Sequence, residues 1–573
     1  MNEDTLLDGD LIDQIVQLLP EERTAALIDL MMQEEIDPAA LEAELHRSLA
    51  GIDLAQHRDR IGALVNRIMP LETLAPDVYD AWRPIIHDAV AYVGSHLSAR
   101  RLVPKLVEQM LLPLDIPLEQ RLIILIAQMP SLQKIGQIVA RNRNLEPAFR
   151  AELSRLENAI EDITPAEIRA EVQRQLGALL ETYQVELQDV ILAEASVSAT
   201  LHFRWLNPVT RLRETGVFKV LKPYINEHFT EELELLGGLA EYFDANRHNY
   251  PLAQVDLREV FEDVRHLLKR EVDFPNEQAN LAAAYDRYKS VSGARVPRLI
   301  IELSTPTITA ITAEAGVKVT EAFPNSLWGR LEVAARVIEA LIAVPLFARE
   351  KEAFFHADPH AGNLLFDEDK RELIMLDWAL TERLSTEQRR YLLVLVLAVV
   401  LRDEQHMFRA IAALSADDLA SDQAKAEITR RRIAHFIGQQ SPTATLGIAD
   451  AIALVDDVVL SGIRFPAPLL IFRKALFTLD GVLHHIISKV WLDPVLAGYA
   501  LKQGLDAAPL LALLGLTAGN FRIPLSLGDR LALPWSALFF GPRVWFQTAA
   551  RLRAKGLPEA QRLLNQLAPK RAD

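Results

Sequence analysis

One stretch of the sequence, residues 355–379, constrains the fold more than any other part of the chain. It reads FHADPHAGNLLFDEDKRELIMLDWA and places Asp358 and Asn363 five residues apart, with Asp377 further on. Two apolar runs enclose the polar turn 367–371, and this pattern predicts a β-hairpin. A hairpin brings its two ends together, so we expect Asn363 and Asp377 to share one metal site. Carboxylate and amide oxygens are the hard ligands that Mg²⁺ prefers.

The spacing of Asp358 and Asn363 matches the catalytic loop of protein kinases, H-R-D-x-x-x-x-N. Asp377 stands where the aspartate of their D-F-G motif would stand. Kinase chemistry also needs a lysine on a strand, which holds the α- and β-phosphates. The apolar segment 216–221, GVFKVL, predicts such a strand and supplies Lys219 as the phosphate lysine.

This lysine requires an acidic partner on a helix. Glu277 begins an alanine-rich run that predicts a helix, and Glu271 is the other candidate. Where a glycine-rich loop would cover the phosphates, residues 193–202 read AEASVSATLH. Alanine does not readily adopt the positive φ values open to glycine, so we expect this loop to be stiffer.

A second interpretation takes His356, Asp358 and His360 as the metal-ligand cluster of a hydrolase, because His-x-Asp-x-His combines common metal ligands. This alternative predicts stabilisation by a transition metal and none by nucleotide. The acids of the polar turn are interpreted as ordinary turn residues in both cases; they are Asp367, Glu368 and Asp369.

Several motifs, taken in order along the chain, resemble those of the UbiB/ADCK family of atypical kinases. They are KIGQ at 134–137, AEASVSATLH at 193–202, VFKVLKP at 217–223, EVDFPNEQAN at 271–280, FHADPHAGNLL at 355–365 and a tail segment at 473–494. The resemblance covers about residues 125–500. It implies an α+β fold: a protein-kinase-like structure with a small mixed N-lobe, a helical C-lobe, an all-helical N-terminal extension and a helical C-terminal tail.

The resemblance also implies function and site residues. Members of this family bind ATP or ADP with a divalent cation such as Mg²⁺, show ATPase activity and are linked to ubiquinone and other isoprenoid lipids. The implied catalytic residues are Asp358, Lys219 and Lys134, and the implied metal ligands are Asn363 and Asp377. The implied nucleotide-binding residues are Ala193, Ala195, Ser196, Lys219, Glu277, Glu271 and Glu314, with Glu271 meeting Lys134 of the KxGQ segment.

The chain departs from the family pattern at three places. The D-F-G motif is Asp377-Trp378-Ala379, so we expect a less mobile motif with Trp378 as a core anchor. The proline of the catalytic loop is replaced by Ala361, which removes no ligand. Glu194 adds a negative charge near the expected phosphates, which puts nucleotide affinity and the preference for ATP or ADP in question.

The segment after Trp378 argues against a regulated protein kinase. A capping box formed by Ser385 and Gln388 predicts a helix start, and the apolar run 391–401 predicts that this helix is buried. The six residues 379–384 leave no room for an activation loop or for a platform that binds a peptide.

Composition sets wider limits. The chain has 573 residues, no cysteine and a net charge of −17, which excludes thiolate metal sites and argues against a nucleic-acid partner. The acidic N-terminus does not have the pattern of a signal peptide, so we expect a cytoplasmic protein. We divide the chain into a helical region 1–115, a KxGQ extension 116–185, an N-lobe 186–320, a C-lobe 321–500 and a tail 501–573, with a short linker near Glu314.

The tail differs from the rest of the chain in charge. From Phe521 to Asp573, nine basic residues oppose three acids, which gives about +6, so the remaining chain is near −23. Aromatic residues are interleaved with the arginines, as in segments that lie on anionic membranes; they are Trp535, Phe539, Phe540, Trp545 and Phe546. Peripheral contact with the inner membrane is one expectation, and docking of these aromatics on the kinase-like lobe is the other. The uncharged run 507–521 is too short to span a bilayer comfortably.

The sequence therefore predicts an Mg²⁺-dependent, ATP- or ADP-binding atypical kinase or ATPase. Its acceptor would be water or a lipid-like alcohol, and its partners would be quinone-pathway substrates or enzymes. A nucleotide-gated scaffold without useful catalysis is an alternative, as is the metal hydrolase.

Overall fold

The computed structural model describes residues 24–33, 36–68, 77–113, 115–140, 162–251, 256–441, 444–487, 494–499 and 523–538, with the single residues Ile15, Leu19, Phe540 and Val544. The chain divides into two units. The first comprises Met1–Asn276 and Leu299–Ala313, and the second comprises Glu277–Arg298 and Glu314–Asp573. Within the helical region predicted for 1–115, residues 10–19 fall outside the described residues apart from Ile15 and Leu19, and so do the apolar run 507–521 and the tail aromatics Phe539, Trp545 and Phe546.

The first unit begins with helices whose starts are set by local chemistry. Asp37 caps one helix by accepting a hydrogen bond from the Ala39 N–H at 3.0 Å, and Thr164 and Glu167 form a capping box at another. The helices before the sheet are α1 (Ala25–Met31), α2 (Pro38–Leu49), α3 (Arg58–Ile68), α4 (Arg83–His96), α5 (Ala99–Leu111), α6 (Leu118–Ile126), α7 (Pro130–Ala140), α8 (Pro165–Leu176) and α9 (Ala178–Thr182).

A four-stranded antiparallel sheet follows in the first unit, in the order β1-β2-β3-β5. The strands are β1 (Glu186–Glu194), β2 (Ser198–Leu206), β3 (Arg213–Leu221) and β5 (Ile308–Thr312). Its core face is aromatic and aliphatic: Phe203 stacks on Phe218 with ring centroids 3.9 Å apart, and Trp205 is buried. The prediction of a strand around Lys219 is confirmed.

Three long helices complete this part of the chain: α10 (Pro223–Ala245), α11 (Leu257–Glu271) and α12 (Phe274–Tyr288). The helix predicted after Glu277 is confirmed as α12, which continues into the second unit. A buried ion pair joins the N-terminal helices to α10, because Arg101 of α5 contacts Glu232, whose side chain is fully buried. The Ser131 N–H also donates to Glu232, at 2.9 Å.

The second unit contains the predicted hairpin. The strands β8 (Leu364–Asp367) and β9 (Glu372–Met375) pair in antiparallel register, within a four-stranded sheet of order β4-β9-β8-β6. The outer strands are β4 (Ala294–Arg295) and β6 (Val317–Lys318), and a separate two-stranded sheet pairs β7 (Glu352–His356) with β10 (Thr381–Ser385). The chain therefore enters a strand, not a mobile loop, three residues after Trp378.

Helices form most of the remainder of the second unit. They are α13 (Leu327–Ile338), α14 (Thr386–Val400), α15 (Glu404–Leu414), α16 (Gln423–Gln439), α17 (Ile448–Leu460), α18 (Ala467–Ile486) and α19 (Leu527–Leu538). The predicted capping box of Ser385 and Gln388 is confirmed at the start of α14. The prediction that α14 is buried holds for one face only, because Leu393 and Val396 are among residues that are only partly buried.

The described part of the tail lies on the helical part of the second unit. Asp529 of α19 is buried and pairs with Arg390 of α14 at 2.6 Å. Burial acts to raise the pKa of Asp529, but the hydrogen bonds from Arg390 and Ser526 lower it to about 2. In the part of the chain that is described, none of the helices combines the length and the apolarity that a bilayer span requires.

Candidate functional site

In the second unit, backbone hydrogen bonds define the loop that carries Asp358 and Asn363. The Asp358 carbonyl accepts from the His360 N–H at 2.9 Å and from the Asn363 side-chain amide at 3.3 Å. The Leu376 N–H donates to the Asn363 carbonyl at 2.8 Å. The loop thus closes on itself and is fixed to the end of the neighbouring strand.

The hairpin brings the two predicted metal ligands to adjacent chain ends. Leu364 and Met375 are paired partners, so Asn363 lies just before β8 and Asp377 just after β9. Asp377 is exposed, and it adopts a left-handed backbone conformation with φ 44°. Its Oδ1 accepts from the Ala379 N–H at 3.0 Å, which orients the carboxylate. Oxygen donors at this end of the hairpin fit a hard cation such as Mg²⁺.

His356 is a structural residue of this loop. Its side chain is buried, its Nε2–H donates to the Leu376 carbonyl at 3.2 Å, and its Nδ1 accepts from the Asp358 N–H at 3.2 Å. Burial lowers the pKa of His356, which keeps the imidazole neutral as this pattern requires. Because both ring nitrogens are engaged by the backbone, no lone pair remains for a metal, and the proposed cluster of His356, Asp358 and His360 does not form.

No group of three or more His, Cys, Asp and Glu side chains within the described ranges is arranged to hold a metal ion. His360 is exposed, and its Nδ1 accepts from the Gly362 N–H at 3.1 Å. The metal-hydrolase interpretation is therefore not supported.

Trp378 anchors the motif that replaces D-F-G. The side chain is fully buried, and its indole N–H donates to the Met375 carbonyl at 3.2 Å. Its ring lies against Tyr288 and Phe354, with centroids 5.9 and 5.5 Å away. The Asn280 side chain of α12 donates to the Trp378 carbonyl at 3.2 Å. The predicted role of Trp378 as a core anchor agrees with this packing.

The linker residue Glu314 is held by Arg295 on β4. Arg295 pairs with Glu314 at 2.9 Å, with Asp367 at 3.0 Å and with Glu372 at 2.8 Å. One guanidinium therefore fastens the linker to both strands of the hairpin. Gly316 also lies close to the hairpin, since a Cβ there would come 3.0 Å from the Phe366 carbonyl oxygen. Glu314, which the resemblance implies as a nucleotide-binding residue, is thus held in an ion pair with Arg295.

In the first unit, Lys219 occupies a central position in the sheet. It is paired with Thr200 of β2 and Thr309 of β5, and its ammonium lies 5.5 Å from the centroid of the Phe274 ring. In the second unit, Glu277 lies in the first turn of α12 and is buried. Lys219 belongs to the first unit and Glu277 to the second. The ion pair predicted between them remains a prediction.

The alanine-rich loop is a tight turn between β1 and β2. Ala193 and Ala195 are exposed, whereas Ser196 is buried. The Ala195 N–H donates to the Ser198 carbonyl at 2.8 Å. None of residues 193–198 has a positive φ, and the stiffness of this loop stays a prediction. The Ser196 hydroxyl lies 3.4 Å from a carboxylate oxygen of Glu271 and is directed into the fold.

Lys134 and Glu271 form an ion pair between α7 and α11. Both side chains are largely buried, with 14% and 19% of their surface exposed. The structure thus brings together two residues that the resemblance paired, at the point where Ser196 also reaches Glu271. Their part in catalysis remains a prediction. The surroundings of Gly136 and the side chain of Gln137 are outside the described set.

Glu194 is engaged in a buried ionic network that the sequence did not indicate. The ammonium of Lys222 lies 2.8 Å from Glu194 and 2.7 Å from Asp162. Asp162 also accepts from the Tyr224 hydroxyl at 3.1 Å and from the Gln128 N–H at 2.9 Å. Burial raises the pKa of Glu194. Burial also acts to raise the pKa of Asp162, but the charge of Lys222 and the hydrogen bonds from Lys222, Gln128 and Gln133 together lower it.

Sequence reasoning missed Lys222, Asp162 and Asn280 as residues that shape the site. Asn280 ends the E-x-D-x-x-x-E-x-x-N segment, and its spacing of three residues from Glu277 on a helix could have identified it. Lys222 and Asp162 are 60 residues apart in sequence, and no local pattern connects them.

Comparison with known proteins is consistent with these geometries. A family model described as the ABC1 atypical kinase-like domain matches residues 155–411. The chain is 27% identical over 382 residues to the protein ACTIVITY OF BC1 COMPLEX KINASE 7, chloroplastic, of Arabidopsis thaliana, covering 65% of this chain and 52% of that protein. It is 30% identical over 290 residues to the probable protein kinase UbiB of Xanthomonas oryzae pv. oryzae, covering 48% of this chain and 50% of that protein.

Among solved structures, that of Rv3197 with erythromycin from Mycobacterium tuberculosis is similar, with a TM-score of 0.42 and 14% identity. It covers 62% of this chain and 87% of that chain, and a likeness at this score supports no conclusion. The chain spans about half the length of the curated relatives it matches. Residues 155–411 form an α+β kinase-like domain of the ABC1 atypical kinase-like type, and the relatives named as UbiB and BC1-complex kinases support the resemblance of this domain to the UbiB/ADCK family.

Proposed function

We propose that the chain binds ATP or ADP together with Mg²⁺ and acts as an atypical kinase or ATPase. The observation that carries this proposal is the hairpin end, where the Leu376 N–H bonds the Asn363 carbonyl at 2.8 Å and thereby sets Asn363 next to Asp377. Two oxygen-bearing side chains at adjacent strand ends are the donor set that a Mg²⁺–nucleotide complex uses. When bound, Mg²⁺ supplies positive charge that neutralises the phosphate oxygens.

The chain's own residues have distinct parts in this proposal. Asn363 and Asp377 hold the cation, and Asp358 orients the acceptor or accepts its proton. Lys219 contributes positive charge to the phosphates, and Glu277 orients it. Ala193 and Ala195 cover the phosphates, because small exposed residues allow the backbone to approach closely. Ser196 and Lys134 act indirectly through Glu271.

The acceptor class and the setting of the reaction are also proposals. We propose water or a lipid-like alcohol as the acceptor, and a role in quinone or lipid metabolism, since two of the relatives are named as kinases of UbiB or BC1-complex type. The basic tail would bring the protein to an anionic membrane as a peripheral component. The strand β10 and the capped helix α14 support the exclusion of a regulated peptide kinase, because they fill the place of an activation loop.

The test measures nucleotide binding and phosphate release on the same protein. We expect ATP or ADP with Mg²⁺ to raise the unfolding temperature, and inorganic phosphate to be released in the presence of phosphatidylcholine vesicles with or without phosphatidylglycerol. Asp377→Asn should abolish release while keeping the fold, because asparagine tolerates the φ of 44° found there. Asp369→Asn, at an exposed acid of the hairpin turn, is the matched control and should leave release unchanged.

The outcomes separate the candidate functions. Nucleotide stabilisation without phosphate release under any condition would favour the nucleotide-gated scaffold. Stabilisation by Zn²⁺ or Mn²⁺ alone, with no response to nucleotide, would restore the metal-hydrolase interpretation. Unchanged turnover in Asp377→Asn would refute the metal site.

A further inference from the structure

The helical part of the second unit contains a cavity of about 380 Å³ that is partly open to the surface. It lies among α14, α17 and α18 and extends to the residues just before α19. The lining is almost wholly aliphatic and aromatic. Its described members on α14 are Leu392, Leu393, Leu395, Val396, Leu397 and Val400.

Helix α14 supplies two apolar faces to two different environments. Val394, Ala398 and Val399 are buried on one face, whereas Leu393 and Val396 on the other face are only partly buried and line the cavity. A helix that is hydrophobic all round is normally buried all round. In the described fold, the apolar side chains on this face of α14 therefore border the cavity and do not pack fully against other protein side chains.

The size and the lining of the cavity define the kind of occupant that fits. Protein interiors are packed like organic crystals, and voids larger than a water molecule are few. Water needs polar partners to enter such a space, and aliphatic linings do not provide them. A volume of about 380 Å³ lies in the range of small-molecule sites. A hydrocarbon chain matches both the volume and the lining.

One charged side chain, Arg473 of α18, belongs to the described lining. About a third of it, 34%, is exposed, which places the guanidinium at the rim. Asp456 of α17 is its ion-pair partner, and the ring of Phe477 lies 5.6 Å from it. A guanidinium beside an apolar cavity matches a carboxylate or phosphate group, which it can bind through two parallel N–H donors.

We propose that this cavity binds a lipid with a single hydrocarbon chain and an anionic head group, of the fatty-acid type. The chain lies against the half-exposed face of α14, and the head group is held at the rim by Arg473. This site is separate from the residues assigned to nucleotide and metal, so the inference does not depend on the proposed nucleotide function.

Binding is tested on the full chain with a dansyl-labelled undecanoic acid, whose fluorescence rises in an apolar environment. We expect saturable binding, displacement by oleate, weaker displacement by oleyl alcohol, and none by hexanoate, whose chain is too short to fill the cavity. Asp377→Asn should bind the probe as well as the unchanged protein does. The measurement on Asp377→Asn therefore tests the lipid proposal independently of the nucleotide proposal.

Two substitutions probe the cavity, each with a matched control. Ala451→Phe fills it from α17 and should weaken binding about tenfold or more. Ala449→Phe, at an exposed position of the same helix, should not. Arg473→Gln should weaken oleate binding about tenfold with little effect on oleyl alcohol. Arg432→Gln removes an ion pair with Asp457 at 3.1 Å outside the cavity and should leave binding unchanged.

Several results would overturn the proposal. They are the absence of saturable binding and probe binding that Ala451→Phe does not alter. An equal effect of Arg473→Gln on oleate and oleyl alcohol would refute the anionic head group. If Ala451→Phe lowers the unfolding temperature strongly, Ile452→Trp replaces it, because Ile452 lines the cavity and is only partly buried.

Discussion

The Nζ atom of Lys222 lies 2.8 Å from Oε1 of Glu194, and both side chains are almost completely buried. The sequence suggested that Glu194 would place a negative charge near the phosphates of a nucleotide. In the structure this carboxylate pairs with a lysine inside the first unit, where Asp162 is the second acid of the network. The glutamate of the alanine-rich loop therefore forms a buried ion pair that links the end of β1 to the segment after β3.

Lys222→Met should destabilise the first unit by about 3–5 kcal/mol, because it leaves the buried carboxylates of Glu194 and Asp162 without their cation. The measurement is the urea midpoint of the first unit, with amide hydrogen exchange in β1 and β2 as the local readout. Lys370→Met, at a lysine with 65% of its side chain exposed, is the control and should have little effect. A change below about 1 kcal/mol for Lys222→Met would contradict the network.

Glu194→Gln should leave the affinity for Mg²⁺-ATP within about twofold, since Lys222 already compensates the carboxylate. The measurement is a nucleotide titration followed by intrinsic fluorescence or calorimetry, with ATP and ADP in separate experiments. A gain in affinity of about tenfold or more would show that the charge does act on the nucleotide.

The ion pair of Lys134 and Glu271 should show thermodynamic coupling. In a double-mutant cycle with Lys134→Met and Glu271→Gln, we expect a coupling free energy of about 1–2 kcal/mol, because both side chains are largely buried. Hydrogen exchange of the α7 and α11 amides provides the local free energies. The exposed pair Lys289–Asp286 is the reference and should show much weaker coupling, because water screens its charges. Equal coupling in the two cycles would count against a special role for the first pair.

The loop that carries Asp358 should lose stability on mild acidification because of His356. Burial lowers the pKa of this histidine below its ordinary value of 6.5, so the unfolded chain binds the proton more readily than the folded chain does. The stabilising contribution is complete above pH 6.5 and is lost as the pH falls through that value towards the folded pKa. Protonation would also remove the Nδ1 acceptor of the Asp358 N–H.

Thermal unfolding across this pH range, together with NMR titration of the imidazole, measures the effect of His356. His356→Asn should flatten the pH dependence at the cost of basal stability, whereas His360→Asn, at an exposed histidine, should preserve it. A normal titration of His356 near 6.5 would contradict its buried, neutral state.

Acid should also release the tail helix α19. The pKa of Asp529 falls from 3.8 to about 2 in the folded chain, so its contribution is present above pH 3.8 and is lost as the pH drops through about 2. At neutral pH this contribution is about 2 kcal/mol. Asp529→Asn should therefore speed hydrogen exchange in α19 at neutral pH and make little difference at the acid end. Asp418→Asn, at an exposed acid of another turn, is the control.

The elements predicted well from the sequence are those set by local patterns. The hairpin 364–375 follows from two apolar runs around a polar turn, and the start of α14 follows from the side chains of Ser385 and Gln388. The kinase-like order of motifs also predicted the fold class, because Asp358, Asn363 and Asp377 rarely occur at this spacing by chance.

The features that escaped prediction depend on contacts remote in sequence. The tie between Lys222 and Asp162 joins positions 60 residues apart, and a lysine before a proline gives no sign of burial. Strand β10 was missed because five residues, TERLS, form a strand only through pairing with β7. The half-exposed face of α14 was missed because an apolar run does not reveal whether protein or a cavity lies beside it.

The contact of Arg101 with Glu232 has a practical consequence for shortened versions of this chain. Removing the N-terminal helices would take away Arg101, the cation paired with Glu232 of α10, and leave this carboxylate with the N–H and the hydroxyl of Ser131 as its described donors. A truncated protein that begins near the KxGQ helix should therefore be less stable, and Glu232→Gln should recover part of that loss because it removes the unpaired charge. The N-terminal helical region, which shows no chemistry of its own, therefore stabilises α10 by supplying the cation that pairs with its buried glutamate.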